Sequence, residues 1–546
     1  MMIIPNTRTS PSKPNGFQSS VIVLLAFMLM AAAISVFMGQ DNSWDLRNYH
    51  LYNAYAFITD RSQLDILPAQ LQSFFNPLPD ILLLNLIGNY KPIIVGMLLG
   101  MIHGINSFLI FKIAQVVLFK LQPFQLSFRN ISLQITPFKV SIFLGIAALV
   151  APMSIMLMGT SYHDNLVSIP LFISILLIVM ILQSPHENQS LLLILAGISA
   201  GISFGLKMTS AIYIIAVGLT LFIVVREWST KIKTGFQFTG GVLVGIMTSG
   251  GFWYVKMWKS YKNPFFPWFN NIFHSPELLD INIRDARYLP TSFLDGLLYP
   301  IYFMYNSSFN YHQGGFRDMR FAVLYLLIAI FCIVVVRNKF LGKQKKPLTP
   351  ESQFIILLSC FAYVIWLIQF SIYRYIFLLE GLAFLSIAII LIHLFQSSKT
   401  SMGILSLLVL ISLSSASYPK HQRLDWRDHY INGQIPDLEG LDSAVIILGG
   451  KRPSAFFIPG FPVTTRFVRL SSNMHGYLSP DSKFKKDSYA LTQNHPGPFY
   501  LLSWEKFLYT EQNFLHYFNM EVDTTQRWHL QNPHEPELTF WKVNRE

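Results

Sequence analysis

Charge is scarce in this sequence. Of its 546 residues only 13% are Asp, Glu, Lys or Arg, where a water-soluble domain carries about 25%. Cysteine is scarcer: Cys332 and Cys360 are the only two, and both lie inside apolar runs, so no disulfide is expected and nothing follows about redox compartment. There is no internal repeat and no low-complexity tract. No small-residue cleavage site follows the first apolar run, so that run is expected to be an uncleaved anchor and not a signal peptide. Acidic residues are the rarer sign, 29 against 41 Lys and Arg, for a net charge of +12. What is abundant is apolar, 52% of the chain. In such a chain surplus Lys and Arg collect in cytoplasmic loops, so the basic balance does not point to nucleic acid.

Apolar runs near the roughly 20 residues needed to cross a bilayer recur over the first four-fifths of the chain. Eleven spans are expected, at about 19–38, 92–118, 138–157, 166–183, 190–206, 209–225, 236–256, 321–337, 353–371, 375–395 and 401–417. Ile81–Ile87 is apolar but too short to cross, and reads as a juxtamembrane or re-entrant helix. Arg8 and Lys13, Lys120 and Arg129, Arg226 with Lys231 and Lys233, and Arg337 through Lys346 then share one side, the cytoplasmic one by the positive-inside rule. The predicted organisation is a disordered cytoplasmic tail (1–18), a helical transmembrane domain (19–417) with outer loops at 39–91 and 257–320, and a small soluble α/β domain (418–546) on the outer side. In that last domain Ala444–Leu448 and Val463–Leu470 read as strands. Gly449–Gly450 is a weak phosphate-loop signal, since a strand–turn–helix junction wants glycine regardless.

Polar residues concentrate between Gly39 and Pro77, out of character for their surroundings. Asp45–Tyr55 reads as an amphipathic helix with Tyr49, Tyr52 and Ala56 on one face and Asp45 in its first turn, where the helix dipole favours a carboxylate. The next short outer loop, GTSYHDN, supplies His163, Asp164 and Asn165. Lys207 interrupts the apolar chain between two spans, and Arg374 precedes another, with Glu380 two turns further in. The long loop adds Arg284, Asp285, Arg287, Asp295, Arg317, Asp318 and Arg320. Each has a plainer reading. Asp45 and Asp164 suit helix caps, Lys207 and Arg374 suit snorkelling to the interface or pairing with Glu380, and the long-loop charges suit surface ion pairs. The chain lacks an HxxxH-type spacing, which argues against a structural zinc site at His50 and His163.

Carboxylates and cations meeting at one membrane face suit sugar transfer from a lipid-linked phosphate. That reaction needs a base for the acceptor proton and cations for the charge growing on the leaving phosphate. At these residues the chain resembles the GT-C superfamily of integral-membrane glycosyltransferases, which includes protein mannosyltransferases, the oligosaccharyltransferase catalytic subunit and the aminoarabinose transferase of lipid A. Asp45-Leu-Arg-Asn-Tyr49 is similar to an Asp-x-x-x-Tyr pattern of the aminoarabinose transferase. Gly159-Thr-Ser-Tyr-His-Asp164-Asn165 is similar to the oligosaccharyltransferase Asp-Asn-Glu site, with Leu166 in place of the Glu. Phe75-Asn76-Pro77 and the short apolar helix after it match the family's juxtamembrane element in kind.

The resemblance covers about residues 19–420. It implies an inverting transferase of a bacterial inner membrane, with a polyprenyl-phosphate-linked sugar as donor and an envelope glycan, lipid or protein as acceptor on the periplasmic face. In this reading Asp45 is the base with Asp41 as fallback, Asp164 orients the acceptor or a metal, and Lys207 and Arg374 hold the phosphate. Tyr49, His50, His163 and Arg287 contribute to substrate binding. A divalent cation, Mg or Mn, is the one cofactor the resemblance allows for, and the missing Glu weighs against it. The rival reading is a transporter or flippase of a lipid-linked or anionic solute, which would favour charges at mid-membrane and broken spans in matching halves. A non-catalytic partner in an envelope assembly is a third.

Overall fold

The computed structural model describes residues 16–128, 131–183, 188–305, 317–342, 347–418, 420–430, 435, 436, 438, 440–530 and 538–546. The tail basic residues Arg8 and Lys13, Arg129 and the lysines between 343 and 346 lie outside them. Among the described residues, eight helices are long and apolar enough to cross a bilayer: Gln18–Met38, Pro92–Val117, Asp164–Gln183, Gln189–Leu206, Arg320–Phe340, Pro350–Gln369, Tyr373–Phe395 and Ser398–Ser415. Each matches an expected span. The other three expected spans are helical but altered. The 236–256 run is a pair, Trp228–Ser249 and Gly251–Tyr261, bent by 71° at Gly250, where two adjacent glycines make a kink cheap. The 138–157 run breaks before Pro152 into Pro137–Leu149 and Pro152–Leu157, because a proline disfavours helix at the residue before it. The 209–225 run is a 14-residue helix, Ala211–Val224, entered through a single tight turn.

Small residues set how closely these helices approach. Gly197 and Gly201 of Gln189–Leu206 face Gly241 and Gly245 of Trp228–Ser249, and a Cβ at Gly201 would run into the Val242 backbone carbonyl. This is the close small-xxx-small packing that substitutes for a hydrophobic drive inside lipid. The helix Tyr373–Phe395 is the most enclosed of the spans, with 83% of its most apolar window buried; Ser398–Ser415, Arg320–Phe340, Pro350–Gln369 and Asp164–Gln183 are among the helices packed against it.

Leu78–Asn89 is a 12-residue helix that contains Ile81–Ile87 and is too short to span. A two-stranded hairpin that the sequence reading lacks, Phe124–Phe128 with Ile131–Ile135, joins two spans.

The C-terminal part is a mixed five-stranded sheet in the order Arg466–Val468, Val445–Leu448, Phe499–Trp504, Leu538–Arg545, Met520–His529. The first three strands are parallel and the last two antiparallel. Two of these strands were expected; Val463–Leu470 shortens to three residues. The open edge at Arg466–Val468 is covered by the first loop. Ile66 donates to the Phe467 carbonyl at 2.8 Å and accepts from the Arg469 amide at 3.0 Å. That contact protects an edge that would otherwise invite strand addition. The buried Arg469 guanidinium adds bonds to the carbonyls of Pro68, Gly449, Gly450 and Arg452 and to Ser454 Oγ. The sheet is thereby fastened to the same loop that carries Asp45.

Candidate active site

The helix bearing Asp45 is not uniform. Leu46–His50 forms a widened π turn that passes into the α-helix Leu51–Ile58. π turns cost hydrogen-bond geometry and gather at functional sites. Tyr49 and Tyr52 bury the face expected of them. Tyr49 donates its hydroxyl to Asp45 Oδ2 at 3.2 Å, so the Asp-x-x-x-Tyr spacing becomes a direct contact one turn along the helix.

Four of the predicted site residues meet at one point. Arg374 Nη1 lies 3.0 Å from Asp45 Oδ2, and its Nε lies 3.4 Å from Asp164 Oδ2. Lys207 Nζ donates to Asp164 Oδ1 at 2.8 Å. The Arg374 guanidinium also sits 4.2 Å above the Tyr162 ring, a cation–π contact that holds its plane. Each of the four sits at an end of its element, and the cluster sits at the ends of the helices. Asp164 opens Asp164–Gln183, Lys207 follows Gln189–Leu206, and Arg374 lies in the short turn Tyr373–Ile376 before Phe377–Phe395. The side chains of Asp45, Lys207 and Arg374 are each 17% exposed. They are sheltered but open to a ligand. A small space beside the cluster is lined by Asp164, Ser168, Thr209, Tyr213, Arg374 and Tyr375.

Electrostatics follow from this arrangement. Burial pushes the Asp45 carboxyl up, but Arg374, aided by His50 and Lys207, outweighs it and holds the group below its ordinary value. Burial pushes the Lys207 ammonium down, and Asp164 restores only part of the loss against the repulsion of Arg374. Arg374 does not pair with Glu380. Glu380 instead accepts the Met153 and Ser154 amides at 3.0 and 3.2 Å, capping the start of Pro152–Leu157 deep in the helices.

Asp41 and Arg287 stand apart from this bridge. Asp41 is buried, and both of its oxygens are taken by backbone: Oδ1 by the Ser43 amide at 2.9 Å and Oδ2 by the Ser161 amide at 2.8 Å. It ties the first loop to the second. Arg287 is solvent-facing and paired with Asp285 at 2.6 Å, as a plain loop ion pair would be. Gly159 turns the second loop with φ of +69°, and a Cβ there would strike Ser35, so glycine is required for the turn that presents Asp164.

His50 and His163 converge on a residue the sequence reading passed over, Asp80. Both His50 Nδ1 and His163 Nε2 lie 2.7 Å from Asp80 Oδ1, and the two rings are 4.2 Å apart. These three groups together could hold a metal ion. Burial raises the Asp80 carboxyl, but the two histidines more than offset it and the net shift is downward. The carboxylate pair to which the family resemblance would give a divalent ion does not fit one. Asp45 and Asp164 already face Arg374 and Lys207, which stand where a cation would have to sit.

A larger apolar cavity of about 660 Å³ opens among residues 284–300, 321–328 and 359–379. It is walled by Leu289, Phe293, Leu324, Tyr363 and Leu379, with Arg284 at its polar margin.

No family model and no curated protein matches this chain. Among solved structures it is similar to ArnT from Cupriavidus metallidurans, crystallised with undecaprenyl phosphate. The TM-score is 0.51 at 11% identity, over 96% of this chain and 98% of that one. At that identity the likeness establishes the fold: an ArnT-like polytopic membrane protein, as the GT-C resemblance implied.

Proposed function

We infer that the protein is a membrane glycosyltransferase that moves a sugar from a polyprenyl-phosphate donor to an acceptor at the membrane face carrying Asp45. The ArnT-like fold supports the class, and ArnT was crystallised with undecaprenyl phosphate. The observation that carries the reading is the bridge Asp45–Arg374–Asp164–Lys207 at the helix ends. Arg and Lys are phosphate-binding groups, Arg through its fork and Lys as a point charge. The donor phosphate takes Arg374 and Lys207 as its counter-ions, and its prenyl chain has the 660 Å³ apolar cavity for a berth.

Reaction then follows from competition for the two cations. When phosphate claims Arg374, Asp45 loses the partner that holds its pKa down, and burial makes it a stronger base. It takes the proton of the acceptor hydroxyl as that oxygen attacks the anomeric carbon. The anomeric C–O bond to phosphate breaks, and the electron pair leaves on polyprenyl phosphate beside Arg374 and Lys207. Attack opposite the leaving group inverts the anomeric centre. Asp164, held by Lys207, orients the acceptor. Charges gathered at one end of the helices favour transfer over transport of a lipid-linked solute, which would use them at mid-membrane.

The test is release of polyprenyl phosphate from a panel of lipid-phosphate sugars by the protein in nanodiscs. Turnover in the wild type that is lost in Asp45→Asn and Arg374→Ala supports the proposal. Full turnover in Asp45→Asn removes the base assignment, and no turnover with any donor removes the class.

A further inference from the structure

The His50–Asp80–His163 group is used by none of the steps above, and its construction is unusual for a plain hydrogen-bonded cluster. Its members come from three separate elements: the Asp45 helix, the juxtamembrane helix Leu78–Asn89 and the loop before Asp164–Gln183. His50 and Asp80 are fully enclosed, and the His163 side chain is 11% exposed. Two imidazoles satisfying one carboxylate would be expected to take one oxygen each. Here both point at the same oxygen, Oδ1, at 2.7 Å. One ligating atom from each residue lies within 4.8 Å of the other two, so the three converge on a common point.

We propose that His50, Asp80 and His163 bind one divalent transition-metal ion, zinc by the chemistry of the donors, which pins the first loop, the juxtamembrane helix and the second loop together. Two imidazole nitrogens and a carboxylate oxygen are a donor set for zinc and its neighbours, whereas magnesium and manganese favour oxygen. Three protein ligands leave a fourth position for a solvent oxygen. Because His50 lies five residues after Asp45 and His163 directly before Asp164, the ion fixes the distance between the two carboxylates without touching either. The three residues are thus positioning residues.

The proposal stands or falls apart from the transfer reaction, since its readout is metal binding. The full-length protein in detergent is stripped with a chelator and titrated with Co²⁺, followed by its ligand-field absorption in the visible. The expected result is about one Co²⁺ per chain with tetrahedral-type bands, displaced by one equivalent of Zn²⁺ but not by excess Mg²⁺. Asp80→Asn and His163→Gln should each weaken binding by at least about 100-fold, the upper end of what loss of a supporting residue alone does to a metal site. His274→Ala is the control, because His274 pairs with Asp280 at an exposed site remote from the cluster in sequence; it should leave the spectrum unchanged. Absence of ligand-field bands in the wild type at saturating Co²⁺ overturns the proposal and needs no variant to fold. So do bands that survive Asp80→Asn, or that vanish in His274→Ala.

Discussion

Asp45→Asn separates a base from a structural carboxylate, because the structure gives the two roles opposite signatures. Asn is nearly isosteric, so it keeps an oxygen to accept from Tyr49 and Arg374, and the local fold should survive. Loss of a general base costs about 10²–10⁴ in turnover. Donor affinity should move the other way. Asp45 neutralises part of Arg374 in the free enzyme, and Asn does not. For a phosphate held by Arg374 roughly 7 Å from the Asp45 carboxyl, removing one negative charge at an effective dielectric near 20 is worth about 2 kcal/mol. Partial solvent access to these side chains lowers that to about 1–2 kcal/mol, or roughly 5–30-fold tighter donor binding. The measurement is donor Kd by titration in nanodiscs beside single-turnover transfer. Slower transfer with tighter donor binding is expected. Equal losses in both, or weaker binding with turnover intact, would refute the competition between Asp45 and phosphate for Arg374.

Arg374→Ala leaves two sheltered carboxylates with Lys207 as their sole cation in the bridge, so it should lower stability by about 3 kcal/mol and abolish donor binding; Arg374→Lys should recover stability better than affinity, since Lys lacks the fork. The Asp45 carboxyl is held below its ordinary value of 3.8, so its stabilising contribution is present above that value and is lost as pH falls through the lower folded-state one. The thermal midpoint of the wild type should therefore fall below about pH 4 more steeply than that of Asp45→Asn. Gly201→Val drives a side chain into the Val242 backbone and should prevent a monodisperse peak on size exclusion, while Gly218→Val, where a Cβ meets nothing within 4 Å, should behave as wild type. Arg469→Met orphans the carbonyls of Pro68, Gly449 and Gly450, and should open the 449–470 segment to protease with a loss of about 3–5 kcal/mol.

What the chain discloses beforehand depends on how local the signal is. Hydropathy sums over about 20 neighbouring residues, so all eight long spans are visible, and Asp45, Asp164, Lys207 and Arg374 stand out because ionisable groups are conspicuous beside apolar runs. Their meeting also followed from topology, since each sits where a span ends. The failures are non-local. Asp80 hides in LPDILLL as a solitary acid in a short apolar helix. The spacing rule for metal ligands works when two lie on one helix, and His50, Asp80 and His163 are 30 and 83 residues apart. The two backbone amides that bind Asp41, one of them 120 residues away, are likewise recorded in no pattern. Strand Phe499–Trp504 is buried on both faces and lacks the alternation that marks a half-buried strand, so FYLLSW passed unnoticed. The break before Pro152 was local and readable, and the apolar run concealed it.

The geometry also explains why a soluble sheet belongs to this membrane site. The chain leaves its last span at Ser415 and returns along the cluster before entering the sheet: Arg423–Leu424 pairs with Gln40–Asp41, and Gln422 Oε1 accepts from the Trp44 amide and the Tyr162 hydroxyl. Tyr162 is the ring beneath Arg374, and Trp44 precedes Asp45. One side chain of the connecting segment therefore touches the neighbours of both the cation and the carboxylate. At its far end the sheet grips the same loop through Arg61, whose guanidinium bonds Asp65 and the Val463 and Thr465 carbonyls. The Asp45 loop is thus clamped from both sides by residues after 417. A chain shortened after Ser415 would keep every membrane span yet lose these restraints, so its Asp45–Arg374 distance, read by paired spin labels, should broaden; a distribution as narrow as that of the full chain would show that the spans alone hold the cluster.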